Sequence, residues 1–342
     1  MIYFVTSSKD ASIYTDYKNQ NTGIDPILSL FKYKTDLIDK SSRFLIEFDT
    51  TSISESLANG TITNPTFSLD LTTTSLKELA YSFSLECLPV SQSWEQGLGK
   101  RADNPKTTDG VSYTWRDQVS GSAWDTEGGD VIVSTTSSFS FTSETTDVSF
   151  DVTDIVYLFV SGTITNNGFM VRFPTALEAD STNYGEANFF GSETNTIYRP
   201  KLRVEWDDKS LVSGSLTQIT DEDTFVTIKS LRKEYKVENQ YKFRLHVRDM
   251  FPTLSYSTGS VYSTTGYLPT GSMYSIVDNV TEDVIVPFGS TSKISIDSNG
   301  NYFNQNFKGW EAERYYRILF KIDDGTGNYQ LIDKNFVFKL VE

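Results

Sequence analysis

Polar and apolar residues alternate in short runs along most of the chain. In Ser42–Asp49 (SRFLIEFD) the alternation puts Phe44, Ile46 and Phe48 on one face and Arg43, Leu45, Glu47 and Asp49 on the other. The same period of two runs through Thr66–Leu71 (TFSLDL), Ser82–Leu88 (SFSLECL), Ser137–Thr142 (SSFSFT) and Asp147–Val152 (DVSFDV). Such a period is that of a pleated strand with one face buried, and Gly/Asn/Ser/Thr-rich segments between the runs supply the turns. Asp151–Val160 (DVTDIVYLFV) departs from it and predicts a helix, capped by Asp151 or Thr153 and ended at Ser161–Gly162. Beyond residue 211 the clearest predicted strands are Thr224–Leu231, Tyr241–Val247, Tyr315–Ile322 and Asn335–Leu340, with a hairpin turn at Asp323–Asn328 (DDGTGN).

Composition agrees. Ser and Thr number 81 of 342 residues and aromatics make up 14 %, a mixture that suits half-buried sheet and polar turns rather than helices. The expected fold class is all-β: a jelly-roll or β-sandwich domain over residues 1–207, a linker at 208–215 and an Ig-like β-sandwich over 216–342. Asp207–Ser215 (DDKSLVSGS) marks the boundary, and the charge changes across it. Residues 1–210 hold 16 Lys/Arg against 29 Asp/Glu, whereas residues 211–342 hold 14 against 16. Tyr315 or Tyr316, at the start of a late strand, is similar to the tyrosine corner of Ig-like sandwiches.

Charge and cysteine content exclude several functions. A net charge of −15 is a poor basis for nucleic-acid binding, where Lys and Arg neutralise phosphates. One Cys and one His cannot build a Cys/His zinc site or a disulfide within the chain. The longest apolar run of note, Ile155–Val160, is far short of the ~20 residues of a membrane helix. The opening MIYFVTSSKD lacks the pattern of a secretory leader, so a protein soluble where it is made is expected, with no membrane partner.

No catalytic constellation emerges, and a non-enzymatic protein is expected. His246 lies in FRLHVR with Arg244 and Arg248 on the same strand face, a setting that offers a general base no orienting carboxylate. The Arg244–His246–Arg248 stripe reads instead as a partner interface for an acidic surface. The carboxylate pairs Asp151/Asp154, Asp207/Asp208 and Asp323/Asp324 are read as caps and turns. Asp297–Asn301 (DSNGN) has the oxygen-rich look of a calcium loop but lacks the distal Glu, so a turn is expected and no metal or cofactor is assigned.

The blocks RFLIEFDTTSI (43–53), Trp94, Tyr113, Trp115, Trp124, Gly128–Asp130, VSFDVTDIV (148–156), NNGFMVRF (166–173), FFGSE (189–193) and RPKLRVEW (199–206) follow one another in an order that resembles the DNRLRE family. That family comprises disaggregatase-related β-sandwich modules placed among carbohydrate-binding modules. The resemblance covers residues 1–207 and implies a sandwich; by analogy Trp94, Trp115 and Trp124 would stack on sugar rings, the alternative being core or subunit contacts. The region Val284–Ile322, with DSNGNYF and WEAERYYRILFKI, is similar to virion structural proteins of T4-like tailed phages. Together the two imply a virion component of the tail, neck or baseplate, assembled in the host cytoplasm. Its expected partners are other virion proteins and copies of itself. The alternative is an adhesion module contacting a surface polysaccharide.

Overall fold

A computed structural model describes residues 1–35, 39–142, 147–219, 223–251, 266–323 and 327–342. Its elements divide into two compact units. One holds Val5–Ile62 and Thr66–Val204; the other holds Glu205–Glu342 together with Met1–Phe4 and Thr63–Pro65.

The first unit is built from β1 (Ile2–Tyr14) from Val5 onward, β2 (Ile27–Lys34), β3 (Asp39–Phe48), β4 (Thr66–Lys77), β5 (Ser82–Pro89) and the short pair β6 (Trp115–Asp117) and β7 (Ser122–Ala123). It continues with β8 (Ser137–Thr142), β9 (Asp147–Asp151), β10 (Phe169–Arg172), β11 (Gly185–Phe190) and β12 (Lys201–Glu205). One layer runs β8-β5-β10-β3-β1, and the other contains β2, β11, β4, β9 and β12. Strand β3 joins them, pairing with β2 through Asp39–Ser41 and with β1 through Ser42–Phe48. The expected face holds: Phe44 meets Phe189 of β11 at 5.7 Å, and Phe139 of β8 meets Phe150 of β9 at 5.9 Å. The helix predicted at 151–160 is α2 (Thr153–Val160), with the Asp151 carboxylate accepting from the Thr153 amide at 3.1 Å. Its Ile155, Val156 and Phe159 close one end of the core.

Two helices, α1 (Thr51–Ala58) and α3 (Thr175–Ala179), lack a clear apolar period and were not expected. The second of them acts as an anchor. Glu178 takes Arg43 of β3 in a bidentate pair at 2.9 and 2.6 Å, and Lys32 of β2 donates to the Leu177 and Asp180 carbonyls and the Asp180 carboxylate. The Lys32 side chain is otherwise buried, which is tolerable because every donor direction has an acceptor.

The second unit contains β13 (Thr224–Lys229), β14 (Glu234–Lys236), β15 (Gln240–Asp249), β16 (Met273–Asp278) and β17 (Val284–Val286). It ends with β18 (Ser295–Asp297), β19 (Gly300–Asn306), β20 (Tyr315–Asp323) and β21 (Tyr329–Val341). One sheet is ordered β13-β15-β19-β18 and the other β14-β21-β20-β16-β17. These are the A-B-E-D and G-F-C orders of an Ig-like sandwich; β17 extends the second sheet, and β14 runs parallel to β21 at its other edge. Between them lies an aromatic core in which Tyr274 stacks on Phe303 at 4.0 Å. The tyrosine corner is Tyr316: its hydroxyl donates to the Glu311 carbonyl at 3.1 Å, whereas Tyr315 is exposed. Tyr316→Phe is expected to lower the unfolding free energy by about 1–2 kcal/mol, since the Glu311 carbonyl loses its donor. Urea unfolding at fixed m-value would check this.

The segment expected as a linker is held within this unit. Leu211 bridges Ile296 of β18, and the Val212 amide donates to the Ile296 carbonyl at 3.0 Å. Met1–Phe4 also belong here: Ile2 and Phe4 join the core, and the Ile2 carbonyl accepts from Gln305 Nε2 at 2.8 Å. The turn Asp323–Asn328 lies partly outside the described residues, but the antiparallel register Asp323↔Tyr329 joins its flanking strands.

Candidate functional site

Residues 90–136 are almost wholly irregular, and they carry all three tryptophans of interest. They lie on the outer face of β1, β3 and β10, where Ala11, Ile13, Leu45 and Met170 meet Val90, Trp94, Val111 and Trp124 in a second small core. Leu45, expected on the polar face, is buried for this reason. Trp94 and Trp124 are 1 % and 5 % exposed. Their indole N–H groups donate to the Asn167 carbonyl (2.9 Å) and the Ser112 carbonyl (3.0 Å). The stacking role expected of these two is therefore corrected: neither ring has a face open to a sugar. Trp115 differs, being half-buried with Nε1 donating to Asn19 Oδ1 at 3.2 Å.

Asn21 fastens this layer. Its Nδ2 donates to the Gln96 and Val111 carbonyls at 2.7 and 2.8 Å, and its Oδ1 accepts from the Gly23 and Gly99 amides at 3.1 and 2.8 Å. Glycine is needed around it; a Cβ at Gly110 would sit 2.6 Å from the Gly97 Cα and 2.8 Å from Asn21 Nδ2. The Gly128–Gly129–Asp130 motif has a comparable structural role. Both glycines take positive φ, Arg43 donates to the Gly128 carbonyl at 2.8 Å, and the Asp130 carboxylate accepts from the Asp125 and Thr126 amides.

On the surface of the layer, Gln92, Ser93, Arg116, Ala123 and Asp125 line a shallow polar depression of about 330 Å³. Arg116 donates to the Ser93 carbonyl at 3.0 Å, and Gln92 Nε2 to Asp125 Oδ2 at 2.6 Å. An amide, a guanidinium and a carboxylate on one wall can bind hydroxyl groups. Their arrangement does not make a nucleophile–base pair.

The Arg244–His246–Arg248 stripe does share one face of β15, as the alternation requires, and its three side chains are half-buried. Its charge is already engaged. Arg244 holds Asp297 in a bidentate pair, with Nη2–Oδ2 at 2.6 Å, and Lys242 reaches the same carboxylate at 3.2 Å. Arg248 donates to the Asp249 and Met250 carbonyls and stands 4.4 Å over the Phe225 ring. The stripe as an interface for an acidic partner is thus weakened, because Arg244 must first release Asp297. The guanidinium of Arg244 holds the Asp297 carboxyl well below the usual carboxylate range. Asp297–Asn301 is the β18–β19 hairpin, and the Asp297 carboxylate that a calcium ion would need is taken by the two cations. Among the described residues no three His, Cys, Asp or Glu side chains stand close enough to hold a metal.

Of the carboxylate pairs, Asp207 accepts from the Lys209 amide, and Asp208 accepts from the Met1 amine and from Asn304. Asp324 lies outside the described residues. One carboxyl that the sequence did not single out is unusual: Asp10 is fully buried, and both its oxygens accept from Ser192, at 2.6 Å from the amide and 2.9 Å from the hydroxyl. Burial pushes it up to about 7, opposed by the Ser192 bonds and reinforced by the negative charges of Glu193 and Asp25. An unfolded Asp titrates near 3.9, so the folded state holds the extra proton between about pH 4 and pH 7. Stability is therefore expected to fall as pH rises across that window, by up to about 4 kcal/mol, and to level off above it. Asp10→Asn should flatten the slope. Urea midpoints of both proteins from pH 4 to pH 8 test this, and equal slopes would refute it.

No protein-family model matches the chain, and no curated protein matches it.

Proposed function

We propose that the chain is a non-enzymatic structural component of a tailed-phage virion, placed in the tail, neck or baseplate and working through subunit contacts. Within this proposal its first unit is a DNRLRE-like module. The observation that carries the reading is the locked state of the loop layer. The long irregular segment where an active cleft would be sought is instead fastened by Trp94, Trp124 and Asn21, and its depression is shallow. Rigid sandwiches with pinned loops suit load-bearing and the setting of register between subunits. Large apolar side chains left in solvent, such as Tyr81, Val119 and Phe251, add contact surface for partners.

Quantitative mass spectrometry of gradient-purified particles tests the proposal. A fixed ratio near a multiple of three, six or twelve copies per particle is expected; absence from particles would overturn it.

The polysaccharide reading keeps one supporting observation, the polar depression carrying Arg116 and Asp125 on the layer that also holds the half-exposed Trp115. Binding of surface polysaccharide by the intact protein, lost in Trp115→Ala and Arg116→Ala with unchanged thermal unfolding, would favour it.

A further inference from the structure

Three Asn–Gly pairs occur in the chain: Asn59–Gly60, Asn167–Gly168 and Asn299–Gly300. Glycine carries no side chain to shield its backbone nitrogen from the preceding side-chain amide, so each pair can in principle cyclise. The fold treats the three differently. Asn59 is exposed at the C-cap of α1, and Gly60 takes φ +74° with nothing within 4 Å of the place a Cβ would occupy. The Thr61 amide donates to Asn59 Oδ1 at 2.9 Å, and the Thr61 hydroxyl donates to the same oxygen. The first of these bonds folds the Asn59 side chain back over the Gly60 peptide. The Gly60 amide itself is held by a 3.2 Å bond to the Leu57 carbonyl, in the final turn of a helix whose one buried residue is Ile53.

We infer that Asn59 is a self-modification site, whose side-chain amide is lost through a succinimide to leave aspartate or isoaspartate. The Gly60 nitrogen attacks Asn59 Cγ and gives up its proton. The C–N bond of the side-chain amide breaks, and ammonia leaves carrying that proton. Water then opens one or the other of the two imide C–N bonds at the former Asn59. One water is consumed and one ammonia released, with no redox step. Negative charge develops on Oδ1 as the tetrahedral intermediate forms, and the two Thr61 donors already point at that oxygen. Donors placed in advance at a developing oxyanion lower the barrier.

The other two pairs are held differently. Asn167 is 7 % exposed, its carbonyl accepts from Trp94 Nε1, and a Cβ at Gly168 would fall 2.3 Å from the Ile46 carbonyl oxygen. Asn299 is exposed, but Gly300 pairs with Asp297 in the β18–β19 ladder, and the Asp297 carboxylate accepts from the Asn299 amide at 2.9 Å. Cyclisation at either must first break that packing or pairing. Each event at Asn59 adds one negative charge to a chain of net −15, at the C-terminal end of α1, whose last turn has no basic residue. A carboxylate there opposes the helix dipole, so α1 is the element that loosens. This chemistry does not depend on the assembly reading above.

The full-length protein, aged in mildly alkaline buffer, is mapped by tryptic mass spectrometry with isoaspartyl methyltransferase labelling; the three pairs lie in different tryptic peptides. In the native protein Asn59 is expected to convert first, at least about tenfold faster than Asn167, which reacts only after local opening. In guanidinium chloride the three rates should converge, because all share the Asn–Gly sequence. Thr61→Val keeps the amide donor and removes the hydroxyl. Its native Asn59 rate, taken relative to its own rate in guanidinium chloride, should fall about fivefold, the worth of one hydrogen bond. Thr61→Ser keeps the hydroxyl and should retain the rate. Native Asn59 no faster than Asn167 or Asn299 would overturn the proposal. So would the same order persisting in guanidinium chloride, or an Asn59 rate indifferent to loss of the Thr61 hydroxyl.

Discussion

Asn21→Ala is expected to release the loop layer at residues 91–131. The substitution removes two donors from the Gln96 and Val111 carbonyls and one acceptor shared by the Gly23 and Gly99 amides. The side chain is fully buried, so water cannot readily replace these bonds. At about 1 kcal/mol net per bond the loss is roughly 4 kcal/mol, a large part of the roughly 5–15 kcal/mol that stabilises a typical domain. Unfolding need not be global, because the sandwich core of Phe44, Phe150 and Phe189 does not depend on Asn21. The expected signature is faster tryptic cleavage at Lys100, Arg101 and Lys106, with loss of the near-ultraviolet circular dichroism of Trp94 and Trp124. Asn21→Asp keeps the acceptor but places a charge in the same buried site, and it should be at least as damaging. Unchanged cleavage in Asn21→Ala would show that the layer is held by its tryptophans alone.

Phe4→Ala is expected to destabilise the C-terminal unit although the residue stands at position 4. Phe4 belongs to the core that includes Phe303, Phe307 and Trp310, with its ring 6.1 Å from Trp310. Its amide donates to the Lys308 carbonyl at 3.1 Å, and a Cβ at Gly309 would fall 2.1 Å from the Phe4 carbonyl oxygen. Truncating a buried Phe costs about 3–5 kcal/mol through lost transfer energy and the cavity left behind. Ile2→Ala should add a further loss and loosen the Gln305 amide that donates to the Ile2 carbonyl. Hydrogen exchange gives the discriminating readout: protection should fall in β15, β19 and β20 before it falls in β3, β5 or β10. The opposite order would place residue 4 with the N-terminal unit.

These two expectations rest on features of different legibility. The sandwich strands could be read because each has one wet face, so that a period of two appears in Thr66–Leu71 or Ser137–Thr142. The helix at 153–160 could be read because its apolar residues run without that period, although its N-cap position is Val152, with no side-chain cap, rather than the expected Asp151 or Thr153. Tyr316 could be narrowed to one of two neighbours but not chosen, because alternation alone does not tell which tyrosine turns inward. The short α1 and α3 carry too few apolar positions to register a period, and α3 is recognised only through what it holds, Arg43 and Lys32.

The candidate site was less legible. Trp94, Trp115 and Trp124 could be singled out by residue type, but a tryptophan in a loop reads the same whether its ring is open or buried. Their division into two core residues and one surface residue follows from Leu45 and Met170, which lie outside the loop and give it an apolar floor. The Arg244–His246–Arg248 stripe was placed on the correct face by its spacing. That Asp297 neutralises Arg244 depends on a hairpin distant in sequence, which no local pattern encodes.

By itself the sequence determined the all-β class, most strand positions, one helix and the scarcity of Cys and His, all of which are properties of residue type and short-range period. Only the tertiary structure decided which loops become core, which carboxylates are buried or paired, and that residues 1–4 complete a sandwich made of residues beyond 204. The physical reason is that burial and ion pairing depend on which surfaces meet after the chain closes on itself. Hydrophobic contact and charge pairing act through space between residues like Phe4 and Trp310, or Asn21 and Val111, whose separation along the chain leaves no mark on the pattern.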